Sequence, residues 1–218
     1  MSEFLSALWV PSEQRMACAD FKQHSVSWEE CDVPYDNGHE FTWPTDDNGS
    51  SIRIRALGDD GRLLEPGCAE YEVMRADILR LWPTRGELFC YLLKRIVGDD
   101  GILTGNLNLG GVRALDADAL AILQTIREVG GDLHASSLRS AKGAFPALAS
   151  VGGDLHAGSL TSAEGAFPAL ASVGGSLGAS SLRSAKGAFP ALASVGGDLH
   201  ASSLRSAARQ QFAKRIGA

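Results

Sequence analysis

The side chains whose types and spacing come nearest to a site are His134, His156 and His200. Each follows an aspartate by two residues, at Asp132, Asp154 and Asp198. On an extended strand, positions two apart share a face, so each Asp and His would project together. Stacked on a parallel sheet, the pairs would build one row of carboxylates beside one row of imidazoles. Zinc needs such imidazoles to converge on one tetrahedral point with deprotonated partners. The third rung carries Ser176 and Gly178 in these two slots, which interrupts both rows. The expectation is an ordinary solvated or partner-facing sheet surface and no metal.

A second row holds Arg139, Thr161, Arg183 and Arg205, followed by Lys142, Glu164 and Lys186. Basic rows can track phosphates. This one breaks at Thr161 and Glu164, lacks interleaved aromatics, and sits in a chain of net charge -6. It reads as a mixed solubilising surface. The Gly-Gly pairs recur as turn residues, and no phosphate-cradling glycine pattern is present. Cys18, Cys31, Cys68 and Cys90 are scattered, without an evident histidine partner, and read as reduced thiols of a cytoplasmic protein. No nucleophile elbow surrounds the serines. No catalytic residue and no cofactor are expected.

The acidic loops are the other candidate. Residues 1–104 hold 19 acidic and 10 basic side chains, against 7 and 10 in residues 105–218. Asp46, Asp47, Asp59 and Asp60 lie in turn-rich stretches and could meet a basic groove on a partner.

The elements that would position these residues follow from a repeat. GDLHASSLRSAKGAFPALASVG begins at Gly131, and close copies begin at Gly153 and Gly175, a period of 22 residues. A fourth copy starts at Gly197 and stops after Ser206. Fixed self-similarity at this length marks a solenoid. In each coil Asp132 to Ser136 reads as a strand with Leu133 and Ala135 inward. Phe145, Leu148 and Val151 read as a short helical turn on the return side, and the Gly-Gly pair as the bend between coils. No coil buries these apolar groups alone. Stacking aligns Leu133, Leu155, Leu177 and Leu199, and likewise Phe145, Phe167 and Phe189.

The run F-P-x-L-x-x-V-G-G-x-L resembles the irregular leucine-rich repeats of receptor L domains and related bacterial and phage arrays. The resemblance covers about residues 105–206. It implies a solenoid with parallel strands that binds a protein partner, often on its sheet face. The repeated asparagine of standard leucine-rich repeats is absent, so an asparagine ladder is not expected.

The remaining chain surrounds this array. Residues 1–83 hold all four tryptophans and read as an acidic, mostly antiparallel β domain with helical edges. Phe4, Leu5, Leu8 and Trp9 suggest an opening helix. Ile52, Ile54 and Ala56 would face inward from one strand. Gly58 to Gly61 read as a hairpin turn, with Arg62 to Leu64 and Glu70 to Met74 as partner strands. Ala76 to Trp82 suggest a short helix stopped by Pro83. Residues 84–104 hold a helix opened by a Thr84–Glu87 capping box and proposed as the cap of the first coil. Residues 105–206 form the solenoid; its first, degenerate coil would return through a helix over Asp116 to Arg127. Residues 207–218 close it with a second helix. No signal peptide and no membrane span are evident. The fold class expected is thus α+β, a small β domain followed by a helix-capped leucine-rich solenoid.

Function follows as an expectation of the same kind: a non-enzymatic protein-binding module. Its concrete form is a phage or mobile-element inhibitor of a host defence complex, anti-CRISPR-like, acting by occlusion or nucleic-acid mimicry. The alternatives are a nucleic-acid-binding repeat protein and an enzyme seated in residues 1–83.

Overall fold

A 22-residue winding has too little interior to shield its own Leu, Phe and Val side chains, so its stability comes from neighbours. The computed structural model describes residues 5–10, 15–20, 39–40, 52–56, 64–65, 67–109, 117–139, 141–184, 186–204 and 214. The chain divides into two compact units, Met1–Ile96 and Val97–Ala218. The whole is α+β, and the second unit is a parallel β-solenoid of about four turns.

Each coil of the second unit contributes two short strands. One sheet is built from β6 (Leu107–Asn108), β8 (Leu133–His134), β10 (Leu155–His156), β12 (Leu177–Gly178) and β14 (Leu199–His200). The other is built from β5 (Ile102–Leu103), β7 (Glu128–Val129), β9 (Ser150–Val151), β11 (Ser172–Val173) and β13 (Ser194–Val195). All pairings in both sheets are parallel, with the register set by the repeat: Leu155 pairs with Leu133 and Leu177, Val173 with Val151 and Val195. The return side is therefore a second sheet and not the helical turn that the spacing of Phe145, Leu148 and Val151 suggests. Only a single turn survives, as Leu192 N–H donates to the Phe189 carbonyl at 3.1 Å. Val then extends, because a β-branched residue with a parallel neighbour on each side gains more from the ladder than from a lone turn.

The interior is a set of columns. Leu107, Leu133, Leu155 and Leu177 are fully buried, as are Ala135, Ala157 and Ala201. Phe145, Phe167 and Phe189 stack with ring centroids 5.1 and 5.4 Å apart and near-parallel planes. Each buried Leu or Phe contributes about 1.5–3 kcal/mol, so a few stacked coils outweigh the entropy that one cannot. Leu199, on the last described strand, is only half-buried.

The Gly-Gly pairs serve the stack and not merely the bend. Gly152, Gly174 and Gly196 do not adopt a left-handed backbone; that conformation falls at Gly143, Gly165 and Gly187 instead, with φ of 67–74°. At Gly174 and Gly196 an added Cβ would sit inside 3.0 Å of the carbonyl oxygen of Gly152 and Gly174, one coil back. The ladder also runs through them: Gly152 N–H donates to the Val129 carbonyl at 2.8 Å, and Gly153 N–H to that of Gly131 at 2.9 Å. Glycine is required because two backbones touch there.

The degenerate first coil keeps the slots. Leu103 pairs with Val129 and Leu107 with Leu133. Its return holds helix α3 (Ala117–Leu123), with Ala119 and Leu123 buried, shorter than the expected span to Arg127. Beyond Leu123 the backbone tightens, Ile126 N–H donating to the Leu123 carbonyl three residues back. The closing helix expected over residues 207–216 lies outside the described residues, Lys214 excepted.

The first unit contains a four-stranded sheet of order β2-β1-β4-β3, from β1 (Leu5–Val10), β2 (Arg15–Asp20), β3 (His39–Glu40) and β4 (Ile52–Ala56). It is mixed: β1 runs antiparallel to β2 and parallel to β4, and β3 runs antiparallel to β4. The opening helix is thus corrected to a strand. Leu5, Leu8 and Trp9 fit a helix face, but a short, mostly apolar run cannot separate the two periods, and sheet pairing on both edges decides it. Ile54 and Trp9 are buried. Residues 57–63, with the expected hairpin turn, lie outside the described residues. Glu70 to Met74 is not a strand; it belongs to helix α1 (Ala69–Leu81). Cys68 caps that helix, its Sγ accepting the Tyr71 N–H at 3.3 Å, and Met74 and Ile78 share the buried face. Helix α2 (Arg85–Ile96) opens on the expected capping box: Thr84 Oγ1 accepts the Glu87 N–H at 3.2 Å, and Glu87 Oε2 accepts the Thr84 N–H at 2.9 Å.

Candidate functional site

Asp and His two apart on one strand emerge on the outer face of the β6-β8-β10-β12-β14 sheet, because Leu133 between them points inward. The aspartates have a second task. Asn106 Oδ1 accepts the Asp132 N–H at 2.8 Å, and Asp132 Oδ1 accepts the Asp154 N–H at 2.7 Å. Asp154 Oδ1 accepts the Ser176 N–H at 2.6 Å, and Ser176 Oγ accepts the Asp198 N–H at 3.1 Å. A side-chain ladder therefore runs from Asn106 to Asp198, one bond per coil, with one asparagine, two aspartates and one serine as acceptors. An asparagine ladder is not what forms; carboxylate and hydroxyl oxygens take the same role, because a carboxylate oxygen accepts a backbone N–H at least as well as an amide oxygen. The signal was legible: Asn106, Asp132, Asp154 and Ser176 all carry an oxygen acceptor and all follow a glycine.

One carboxylate oxygen remains for the histidine. Asp132 Oδ2 lies 3.9 Å from His134 Nε2, and Asp154 Oδ2 lies 3.8 Å from His156 Nε2. All four side chains are part-exposed. The imidazoles of His134 and His156 stack, with centroids 4.5 Å apart and planes 15° from parallel. Ring-nitrogen lone pairs lie in the ring plane, so two stacked rings aim their nitrogens side by side and not at one point. Zinc bound at about 2.0–2.1 Å from both is thereby disfavoured. Among the described residues, no group of three His, Cys, Asp or Glu gathers as a metal site requires.

Asp198 and His200 lie exposed on β14. The rung between is Ser176 and Gly178, with Gly178 in register beside His156 on one side and His200 on the other. Asp46, Asp47, Asp59 and Asp60 lie outside the described residues. Arg139, Thr161 and Arg183 are exposed, as are Lys142, Glu164 and Lys186, and Arg205 lies outside the described residues. The row is as interrupted in space as in sequence. Cys68 and Cys90 are half-buried, and Cys68 acts as a helix cap.

In the first unit three aromatic residues, Trp9, Trp82 and Tyr91, pack in series. Trp9 meets Trp82 edge to face at 6.1 Å, Trp82 lies 4.7 Å from Tyr91, and Arg95 Nη1 donates to the Tyr91 hydroxyl at 3.1 Å. Such contacts stabilise a core. Among the described residues no helix is long and apolar enough to cross a membrane. The class defined by fold and surface is a parallel β-solenoid with an Asp/His-bearing sheet face. No protein-family model, no curated protein and no solved structure matches the chain.

Proposed function

We propose that this chain is a non-enzymatic protein-binding module, of the L-domain-like leucine-rich type, and that the Asp/His sheet face is its docking surface. The observation that carries the reading is the contrast between ladder and row. On this face the inter-coil ladder uses Asp132, Asp154 and their acceptor equivalents, yet the face also carries part-exposed His134 and His156 and exposed His200. A sheet of this kind offers a flat, regular platform, and charged and aromatic groups at fixed spacing supply specificity. The finer form, an inhibitor of a host defence complex working in the cytoplasm, draws on the acidic residues Asp46, Asp47, Asp59 and Asp60.

The test compares capture from host lysate by the full chain and by a variant with His134, His156 and His200 all replaced by Lys. Partners specific to the sheet face are lost by the variant, with affinity lowered about tenfold or more. Undiminished capture of the same partner by the folded variant would overturn the assignment to this face.

A further inference from the structure

Gly178 interrupts the imidazole row between His156 and His200, and the gap has the dimensions of a binding slot. We propose that it receives the guanidinium of an arginine side chain from a protein partner, stacked between His156 and His200. The proposal rests on the reading that the sheet face docks a protein.

Three observations carry it. The first is spacing. One coil step brings His134 and His156 to a stacking distance of 4.5 Å. Gly178 pairs with His156 on one side and His200 on the other. Two such steps set the walls roughly 9 Å apart, so a flat group midway meets each ring at the separation the protein already uses. The second is an uncrowded floor. A Cβ built on Gly178 would make ordinary van der Waals contact, 3.6 Å from the Leu155 carbonyl oxygen and 3.9 Å from His156 Nδ1, with nothing closer. This differs from the Gly-Gly pairs, where backbone fills the space. The third is charge. Asp154 and Asp198 share the outer face with the two walls, while Ser176 between them is neutral.

A planar cation with donors around its rim satisfies all three conditions, and among side chains that is arginine. A lysine ammonium has the charge without the plane. A neutral aromatic ring has the plane without donors for two carboxylates. A nucleobase brings phosphates that the same carboxylates repel.

The test is a titration of the full chain with the tripeptide acetyl-Gly-Arg-Gly-amide, followed by NMR of the imidazole C–H signals. The lysine tripeptide and a short oligothymidylate serve as competing probes. The expected result is a saturable shift of the His156 and His200 signals, with His134 moving least. Gly178→His fills the slot and weakens the arginine peptide about tenfold or more. Asp198→Asn, at an exposed position, keeps the slot and weakens the peptide severalfold. The proposal is overturned if His134 shifts as much as the other two, if either competing probe matches the arginine peptide, or if both variants bind like the parent. A natural partner that needs the sheet face but binds Gly178→His unchanged would sink the slot and leave the docking face standing. Arginine-peptide binding without any partner lost from the triple-lysine variant would do the reverse.

Discussion

The two sheets of the solenoid share one interior and differ outside. The β5-β7-β9-β11-β13 sheet turns Val129, Val151 and Val173 inward and carries serine outside at Ser150, Ser172 and Ser194. The β6-β8-β10-β12-β14 sheet turns leucine inward and carries the acceptor ladder and the imidazole row outside. Burial constrains both interiors equally, because any coil with a gap loses contacts with two neighbours. The exteriors are free to diverge. The Asp/His side carries a row of imidazoles that stacking alone does not require, which is why the proposed docking surface is placed there.

The largest expected effect breaks the comparison by damaging both sheets at once. Gly174→Val would drive a branched side chain against the Gly152 carbonyl, where even a Cβ does not fit. Strands β11 and β12 flank that glycine, so both ladders part. We expect a loss above about 4 kcal/mol in urea denaturation, large enough to leave the solenoid largely unfolded.

A smaller effect should separate the sheets. Asp154→Ala removes the acceptor for the Ser176 N–H and should cost about 1–3 kcal/mol, while Asp154→Asn keeps an oxygen in place and should cost less. Equal losses from the two substitutions would show that charge and not the ladder bond is what matters. The smallest effect belongs to the serine side. Ser172→Ala should stay within about 0.5 kcal/mol and leave partner capture unchanged. A loss of capture there would move the docking surface to the other sheet.

How much was legible varies with the residue. Leu133, Leu155 and Phe167 were readable as core because a period of 22 residues superimposes them whatever the coil's shape. Thr84 and Glu87 were readable as a cap because the bonds span only three residues. Leu5 to Val10 read as helix from sequence alone, since a short, mostly apolar run carries no decisive period and the pairing that settles it reaches β4, 47 residues away. Glu70 to Met74 were misread as strand for a related reason. The capping sulfur of Cys68 and the helix burial of Met74 and Ile78 are local, but Cys is not a usual cap signal.

The amino-acid sequence by itself determined that the coils stack, which columns are apolar, and where the imidazole row is broken. Periodicity is enough for that, because identical units related by one translation must bring like residues together. Only the tertiary structure decided that the return side is a second sheet, that the paired glycines make room for a neighbouring backbone, and that Asp132 and Asp154 each divide their two oxygens between the next coil and their own histidine. Those outcomes depend on distances between atoms of successive coils, and a repeat length says which residues meet without saying how closely or by which atoms.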